Sequence, residues 1–333
     1  MKKDHILVVG ACGQIGTELT AALRRQHGDF RVVAADVRPL TRALEEEGPY
    51  EQLDVLNAGT VAAVIDRHDI NQVYLLAAML SATGEQQPPK AWQLNTQSLF
   101  NILEPAREKK VARVFWPSSI AVFGPDAPKD RCPQHARLLP ATMYGISKAA
   151  GENLCEYYFS RYGVDVRSLR YPGLISHEAQ PGGGTTDYAV DIFHQALAHG
   201  RYTCYLQPDT RLPMMYMPDA IQATLELMAA PAASLSVRTS YNLAGVHITP
   251  AELAAAIANN LPGFTVQYQP DFRQDIADSW PRSIDDAAAR KDWGWEYQYG
   301  LSALTRDMLI HLAQKSGVES RQLLPQLTGV TFF

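Results

Sequence analysis

Along its first half the chain alternates short apolar runs with longer stretches in which apolar positions recur every three or four residues. The runs at 6–9, 31–35, 71–76, 111–117 and 166–171 are rich in Val, Leu or aromatic residues, are bounded by Gly, Pro or charge, and predict strands. The stretches 15–25, 60–68, 91–109 and 144–162 carry the three-and-four spacing of helices that pack one face on a sheet. Alternation of the two is the mark of βαβ units, so the expected fold class is α/β, a doubly wound Rossmann-type parallel sheet covered on both faces. Beyond Pro172 the pattern loosens. Pro181-Gly182-Gly183-Gly184 reads as loop, helices are expected at 188–199 and 220–229, and Tyr241-Asn242-Leu243 predicts a short return to the main sheet. The stretch 250–295 would complete a smaller C-terminal cap, while the tail from Lys315 to Phe333 has a pattern too weak to assign.

Composition narrows this picture. With 46% hydrophobic and 20% charged residues, the 333-residue chain can bury a large core without disulfides. A formal net charge of -5 offers no basic face for nucleic acid. The short polar start before Ile6 leaves no room for a signal peptide, and no apolar run nears the about 18 residues that span a bilayer, so a cytoplasmic, non-membrane protein is expected. Cys12, Cys132, Cys155 and Cys204 lie far apart without CxxC pairing, as free thiols do in a reducing compartment. The histidines show no His-x-x-x-His or Cys-rich cluster, and no metal is expected.

Directly after the first run comes Gly10-Ala11-Cys12-Gly13-Gln14-Ile15-Gly16, opening a helix. Amides at a helix N-terminus can meet a pyrophosphate, and glycines let the backbone approach it closely, although glycines also serve any tight strand-to-helix turn. Asp36 follows 20 residues after Gly16, at the end of the second run, where a carboxylate accepts hydrogen bonds from an adenosine ribose. It would repel a 2'-phosphate, which favours NAD over NADP; nearby Arg38 pulls the other way. Asp54, in Leu53-Asp54-Val55, could bond the adenine amino group or serve only as a loop carboxylate.

Tyr144 and Lys148 form a Tyr-x-x-x-Lys pair on one helix face. A free phenol is a poor base at neutral pH, but a fixed ammonium beside it favours the phenolate, so Lys148 is expected to lower the Tyr144 pKa. Trp116 to Gly124 ends a strand with two hydroxyls, Ser118 and Ser119, at the carboxyl edge of the sheet, where doubly wound folds bind ligands.

With these four features in order, the chain resembles the extended short-chain dehydrogenase/reductase superfamily over nearly its full length. The resemblance implies that the catalytic hydroxyl, five residues before Gly124, is Ser119 rather than Ser118. It implies that Asn95 holds the catalytic geometry through the backbone, and that the backbone at Tyr171-Pro172-Gly173 supports the nicotinamide end. The implied cofactor-binding set is Gly10, Gly13, Gln14, Ile15, Gly16, Asp36, Asp54, Val55, Leu76, Ala77, Ala78, Asn95, Tyr144, Lys148, Tyr171 and Gly173. Residues 1–176 with 209–245 would form the NAD-binding domain and 177–208 with 246–313 the substrate cap, leaving 314–333 as tail. A homodimer through a four-helix bundle is implied, with Leu99, Ile102, Leu103, Ala149, Leu154, Tyr157 and Phe159 suited to its burial.

Nucleotide-sugar epimerases and dehydratases of this superfamily place an arginine seven residues before an aspartate. Asp219 matches that aspartate, but the arginine position is Leu212, and Arg211 would point to the other face of a strand. Several stretches instead resemble the superfamily's L-threonine dehydrogenases: 76–82, 119–124, Gly183-Gly184-Thr185-Thr186-Asp187-Tyr188, 212–216 and Ser279-Trp280-Pro281. That likeness implies a metal-independent oxidation of L-threonine to 2-amino-3-oxobutanoate, with Ser81, Ser119, Tyr144, Gly184, Thr185, Thr186 and Trp280 around the amino acid. The rival readings are a nucleotide-sugar 4-epimerase or dehydratase and a catalytically silent NAD-binding regulator; an RNA-binding role lacks a basic aromatic surface.

Overall fold

The computed structural model describes residues 4–39 and 47–316. Its first strand, β1 (Ile6–Val9), shows why the fold forms. All four side chains are buried, Ile6 and Val8 on one face and Leu7 and Val9 on the other, which only a strand covered on both sides achieves. β1 lies between β2 (Val32–Asp36) and β4 (Gln72–Leu75) in a six-stranded, wholly parallel sheet. β3 (Tyr50–Gln52) extends it beyond β2, and β5 (Arg113–Phe115) and β7 (Asp165–Arg167) extend it beyond β4.

α1 (Gln14–His27) covers one face with Leu19 and Leu23, beside a later helix that adds Leu227. α2 (Ala58–Arg67), the short α3 (Ser81–Gln86), α4 (Pro88–Arg107) and α5 (Met143–Tyr162) follow; Val61, Leu99, Ile102, Leu103 and Cys155 from three of them build the core of the other face. Leu99, Ile102 and Leu103 are therefore fully buried within this chain, which corrects their expected place in a subunit interface.

Around this sheet stand three small ones. β6 (Ser118–Ser119) pairs with β8 (Leu169–Tyr171), which pairs in turn with β12 (Tyr241–Asn242); β9 (Gly173–Ile175) pairs with β11 (Leu212–Tyr216), and β11 with β13 (Val246–Ile248). β10 (Arg201–Cys204) joins β14 (Thr265–Tyr268). α6 (Tyr188–His199), α8 (Pro250–Ala258) and α11 (Leu301–Ser316) surround a second core with Phe193, Ile257, Leu304, Met308 and Leu309. The remaining α-helices among the described residues are α7 (Met217–Ala229), α9 (Arg273–Asp278) and α10 (Ala287–Trp293).

The expected strand 166–171 is two strands. Ser168 interrupts it, its hydroxyl meeting that of Ser240 at 2.9 Å and its carbonyl accepting from the Tyr241 amide, so 241–242 pairs with β8 rather than entering the main sheet. β3 was not anticipated because Tyr-Glu-Gln on a half-exposed edge has no apolar run. Residues 317–333 of the tail lie outside the described residues. Among the described residues no helix is long and apolar enough to cross a membrane.

Candidate active site

Two cavities meet at the carboxyl edge of the main sheet, sharing Gln14, Ile15, Leu76, Ala78 and Leu80. The first is a groove of about 700 Å³ along the Gly10–Gly16 loop, with Arg38 on its lining and the segment 178–182 as a wall. Gly10 has φ +87°, and a Cβ there would lie 2.7 Å from the Ala77 amide nitrogen; one on Gly16 would lie 2.1 Å from the Gly10 carbonyl oxygen. Both glycines are required by the tight packing of the turn on its own backbone and on the end of β4. α1 begins at Gln14 without a side-chain cap, so its first amides face the groove unpaired, and the buried Gln14 Nε2 has no partner in the protein. A pyrophosphate fits these donors.

Asp36 sits at the tip of β2 with its carboxylate accepting from the amides of Cys12 at 3.0 Å and Arg38 at 3.1 Å, which ties the glycine loop to the strand. The Arg38 guanidinium also approaches Oδ1, at 3.4 Å, while Oδ2 retains a lone pair for a further donor. Asp36, Asp54, Val55 and Ala77 line neither cavity. Asp54 accepts from the Leu56 amide, Val55 is buried with its carbonyl taken by Asn101, and Ala77 packs against Gly10.

The second cavity, about 130 Å³, gathers Ser119, Tyr144, Lys148, Tyr171, Gly173, Ser81, Gly184, Thr185, Thr186 and Trp280. The residues come from β6, α5, β8, β9, the start of α3, the loop before α6 and the turn after α9. Its size lies well below the roughly 300–1,000 Å³ of pockets for drug-sized ligands, which suits a compact substrate.

α5 carries the chemistry. Thr142 caps its N-terminus by accepting from the Gly145 amide, and Tyr144 and Lys148 follow one turn apart. Lys148 Nζ donates to the Pro117 carbonyl at 2.6 Å and lies 4.5 Å from the Trp116 ring centroid and 5.7 Å from that of Tyr144. Burial pushes the Lys148 ammonium down to about 7 against weaker upward pulls from Cys155 and Glu152. Burial also pushes the Tyr144 phenol up to about 12, with a hydrogen bond from Ser119 pulling the other way. The expected lowering of Tyr144 by Lys148 is thus reversed by desolvation within the protein's own groups; a positive charge brought beside the phenol would be needed to lower it.

The neighbouring serines are sorted by their partners. Ser118 is buried and donates to Glu152 at 2.6 Å, and Glu152 forms a two-pronged ion pair with Arg170 at 2.8 and 2.7 Å. Ser119 stays partly open, accepts the Ala121 amide at 3.2 Å and bonds to Tyr144. Asn95 lies in neither cavity wall. Its amide clasps both the nitrogen and the carbonyl of Met79 and donates to Ser147, which donates to the Tyr144 carbonyl, so it braces the site from behind.

Ser81 and Thr185 bond each other at 3.1 Å, and the Thr185 amide donates to Ser81. Asp187, not singled out from the sequence, accepts from the amides of Gly183 and Gly184, both at 2.8 Å, and closes the glycine loop on itself. The signal was present as an aspartate shortly after paired glycines. Of the sugar-nucleotide signature, Leu212 is fully buried, Arg211 pairs with Glu252, and Asp219 accepts the amides of Gln298 and Tyr299. Among the described residues no group of three or more His, Cys, Asp or Glu is arranged to hold a metal.

A glycine-loop groove joined to a Ser-Tyr-Lys pocket defines a nicotinamide-dependent enzyme of the doubly wound class. Residues 6–244 match the model of the NAD dependent epimerase/dehydratase family, and the chain belongs to that family. It is an NAD-dependent oxidoreductase, and its cofactor is NAD. An uncharacterized epimerase/dehydratase of Staphylococcus haemolyticus is 46% identical over 314 residues, covering 94% of this chain and 98% of the relative. The solved L-threonine dehydrogenase from Cupriavidus necator, in its holo form, is 57% identical with a TM-score of 0.90, covering 92% of this chain and 99% of that one. A monomeric L-threonine 3-dehydrogenase from a metagenome is 46% identical with a TM-score of 0.90, covering 93% and 99%.

Proposed function

We propose that this chain oxidises L-threonine at C3 to 2-amino-3-oxobutanoate. The observation that carries the reading is the small cavity in which Ser119 and Tyr144 share walls with Ser81, Thr185, Thr186 and Trp280. The likeness to L-threonine dehydrogenases supports it. Bound in the groove, NAD would supply the hydride acceptor for C3 and a positive ring charge beside the phenol. Tyr144 takes the proton of the 3-hydroxyl as its O–H bond breaks and the carbon–oxygen double bond forms. Ser119 holds that oxygen in place. The ammonium and carboxylate of the substrate meet the hydroxyls and amides around Ser81, Thr185 and Thr186, and Trp280 excludes water. Lys148, pinned on Pro117, holds the polar end of the site in register.

Free thiols without paired spacing support a reducing, cytoplasmic location. A homodimer across α4 and α5 is part of the same proposal; Trp92, Phe100, Ile146, Tyr157 and Tyr162 are its exposed apolar side chains on those helices.

The test is NADH formation by the purified protein from L-threonine and NAD without added metal. UDP-sugars should give no turnover. Tyr144→Phe is expected to cut kcat by about 10²–10⁴-fold while the Kd for NADH stays within about twofold. Full turnover by that variant would end the assignment of Tyr144 as base.

A further inference from the structure

One polar cluster remains unused by this chemistry. It lies where the chain leaves β9, and it begins the segment 176–182 whose residues 178–182 wall the dinucleotide groove. α11 grips that segment with one face, since Asp307, His311 and Lys315 recur at intervals of four. The His311 ring lies flat on His177, centroids 4.1 Å apart and planes 9° from parallel. Lys315 Nζ donates to the His177 carbonyl at 3.1 Å and pairs with Glu178.

The Tyr216 hydroxyl donates to Asp307 at 2.6 Å, so the hydrogen between it and His177 Nδ1, 2.9 Å away, belongs to the histidine. On the opposite side the Ser176 hydroxyl donates to Glu18 at 2.5 Å, one turn into α1 behind the glycine loop, and accepts the Glu178 amide. Leu304, Met308 and Leu309 anchor α11 in the cap core, so the groove wall is strung between the cap and the helix that faces the pyrophosphate.

We propose that His311 and Lys315 are positioning residues for NAD, holding the 176–182 wall of the groove in its binding geometry without entering the chemical step. A wall already ordered need not be ordered on binding, so the clasp acts on affinity. The inference rests on the dinucleotide groove and not on the identity of the substrate.

The experiment uses the full-length protein with His311→Ala, Lys315→Ala, the double variant and His311→Phe. Both side chains are exposed by more than two fifths, so their removal leaves the core untouched. NADH binding is followed by fluorescence titration, turnover at saturating NAD separately. The double variant is expected to raise the Kd for NADH about tenfold with kcat within about twofold, and His311→Phe, which keeps a flat ring on His177, to recover the affinity lost in His311→Ala. An unchanged Kd in the double variant, a fall in kcat without a change in Kd, or His311→Phe as weak as His311→Ala would overturn the proposal. Because binding is read without a second substrate, failure of the L-threonine reading would leave this result intact.

Discussion

Ser118 and Ser119 are adjacent and chemically identical, yet they stand in different energetic positions. Ser118 gives its hydrogen to a buried carboxylate that Arg170 also holds. Ser118→Ala removes one bond from a pair that stays neutralised, so a stability loss of about 1–3 kcal/mol in chemical denaturation is expected, with kcat nearly kept. Both serines line the cavity, but the Ser119 hydroxyl has no buried carboxylate as partner and is left for the substrate oxygen. Ser119→Ala should leave stability within about 0.5 kcal/mol and lower kcat by about 10²–10³-fold; equal kinetic effects of the two variants would refute the division. The pH dependence follows from Tyr144. Its phenol is pushed up to about 12, so its base form grows steadily from neutral to alkaline pH. At saturating NAD the ring charge draws that pKa down, so kcat/KM should rise with pH, by at most about tenfold per unit, and level off at a lower pH than the cofactor-free phenol would give, and the residual rate of Tyr144→Phe should lack that slope. A flat wild-type profile would mean that another group takes the proton.

Among the elements, α5 matters most, because its successive inner turns present Tyr144, Lys148 and then Glu152. Glu152 joins α5 to β6 through Ser118 and to β8 through Arg170, and Arg170 continues to the Gln134 carbonyl and to Asn242 on β12. Helix and small sheet are thus locked at the strand end that carries Ser119. Arg170→Met would leave the Glu152 carboxylate fully buried without its cation, at a cost of about 3–5 kcal/mol, whereas the double variant with Glu152→Gln should recover part of it. Equal losses in the single and double variants, measured by urea unfolding, would show that packing and not charge holds the joint. This lock was invisible in the sequence, since its members come from positions 118, 152, 170 and 242 and carry no shared spacing. The doubly wound sheet and the glycine loop were legible because their signals are local: apolar runs, a strand-to-helix turn and an acid at the next strand end. The break at Ser168 depends on Ser240, 72 residues away, and the reversal of the Tyr144 shift depends on burial by several elements at once.

At the scale of the whole molecule the same limit decides which surface is free. Periodicity identifies the apolar face of α4 but cannot say whether the sheet or another subunit covers it. The sheet takes Leu99, Ile102 and Leu103. What remains outside is a different set, in which Tyr157 packs edge-on against Tyr162 and Tyr158, and Phe100 edge-on against Tyr158. Aromatic rings left in water on two adjacent helices carry a hydrophobic driving force for association that scattered single side chains lack. The proposed dimer should therefore bury Tyr157, which is half exposed, together with Ile146 three turns before it on the same helix face. Light scattering of the intact chain is expected to give twice the mass of 36.8 kDa, and Tyr157→Lys to give the single mass, because a buried lysine without a partner opposes association. A single mass for the unmodified chain across micromolar concentrations would instead align it with its monomeric relative and leave the aromatic face to some other contact. Turnover separates the consequences further: a single chain supplies Ser119, Tyr144, Lys148, Ser81, Thr185 and Trp280 to the cavity, so the Tyr157→Lys monomer should retain kcat even where dissociation lowers its thermal midpoint.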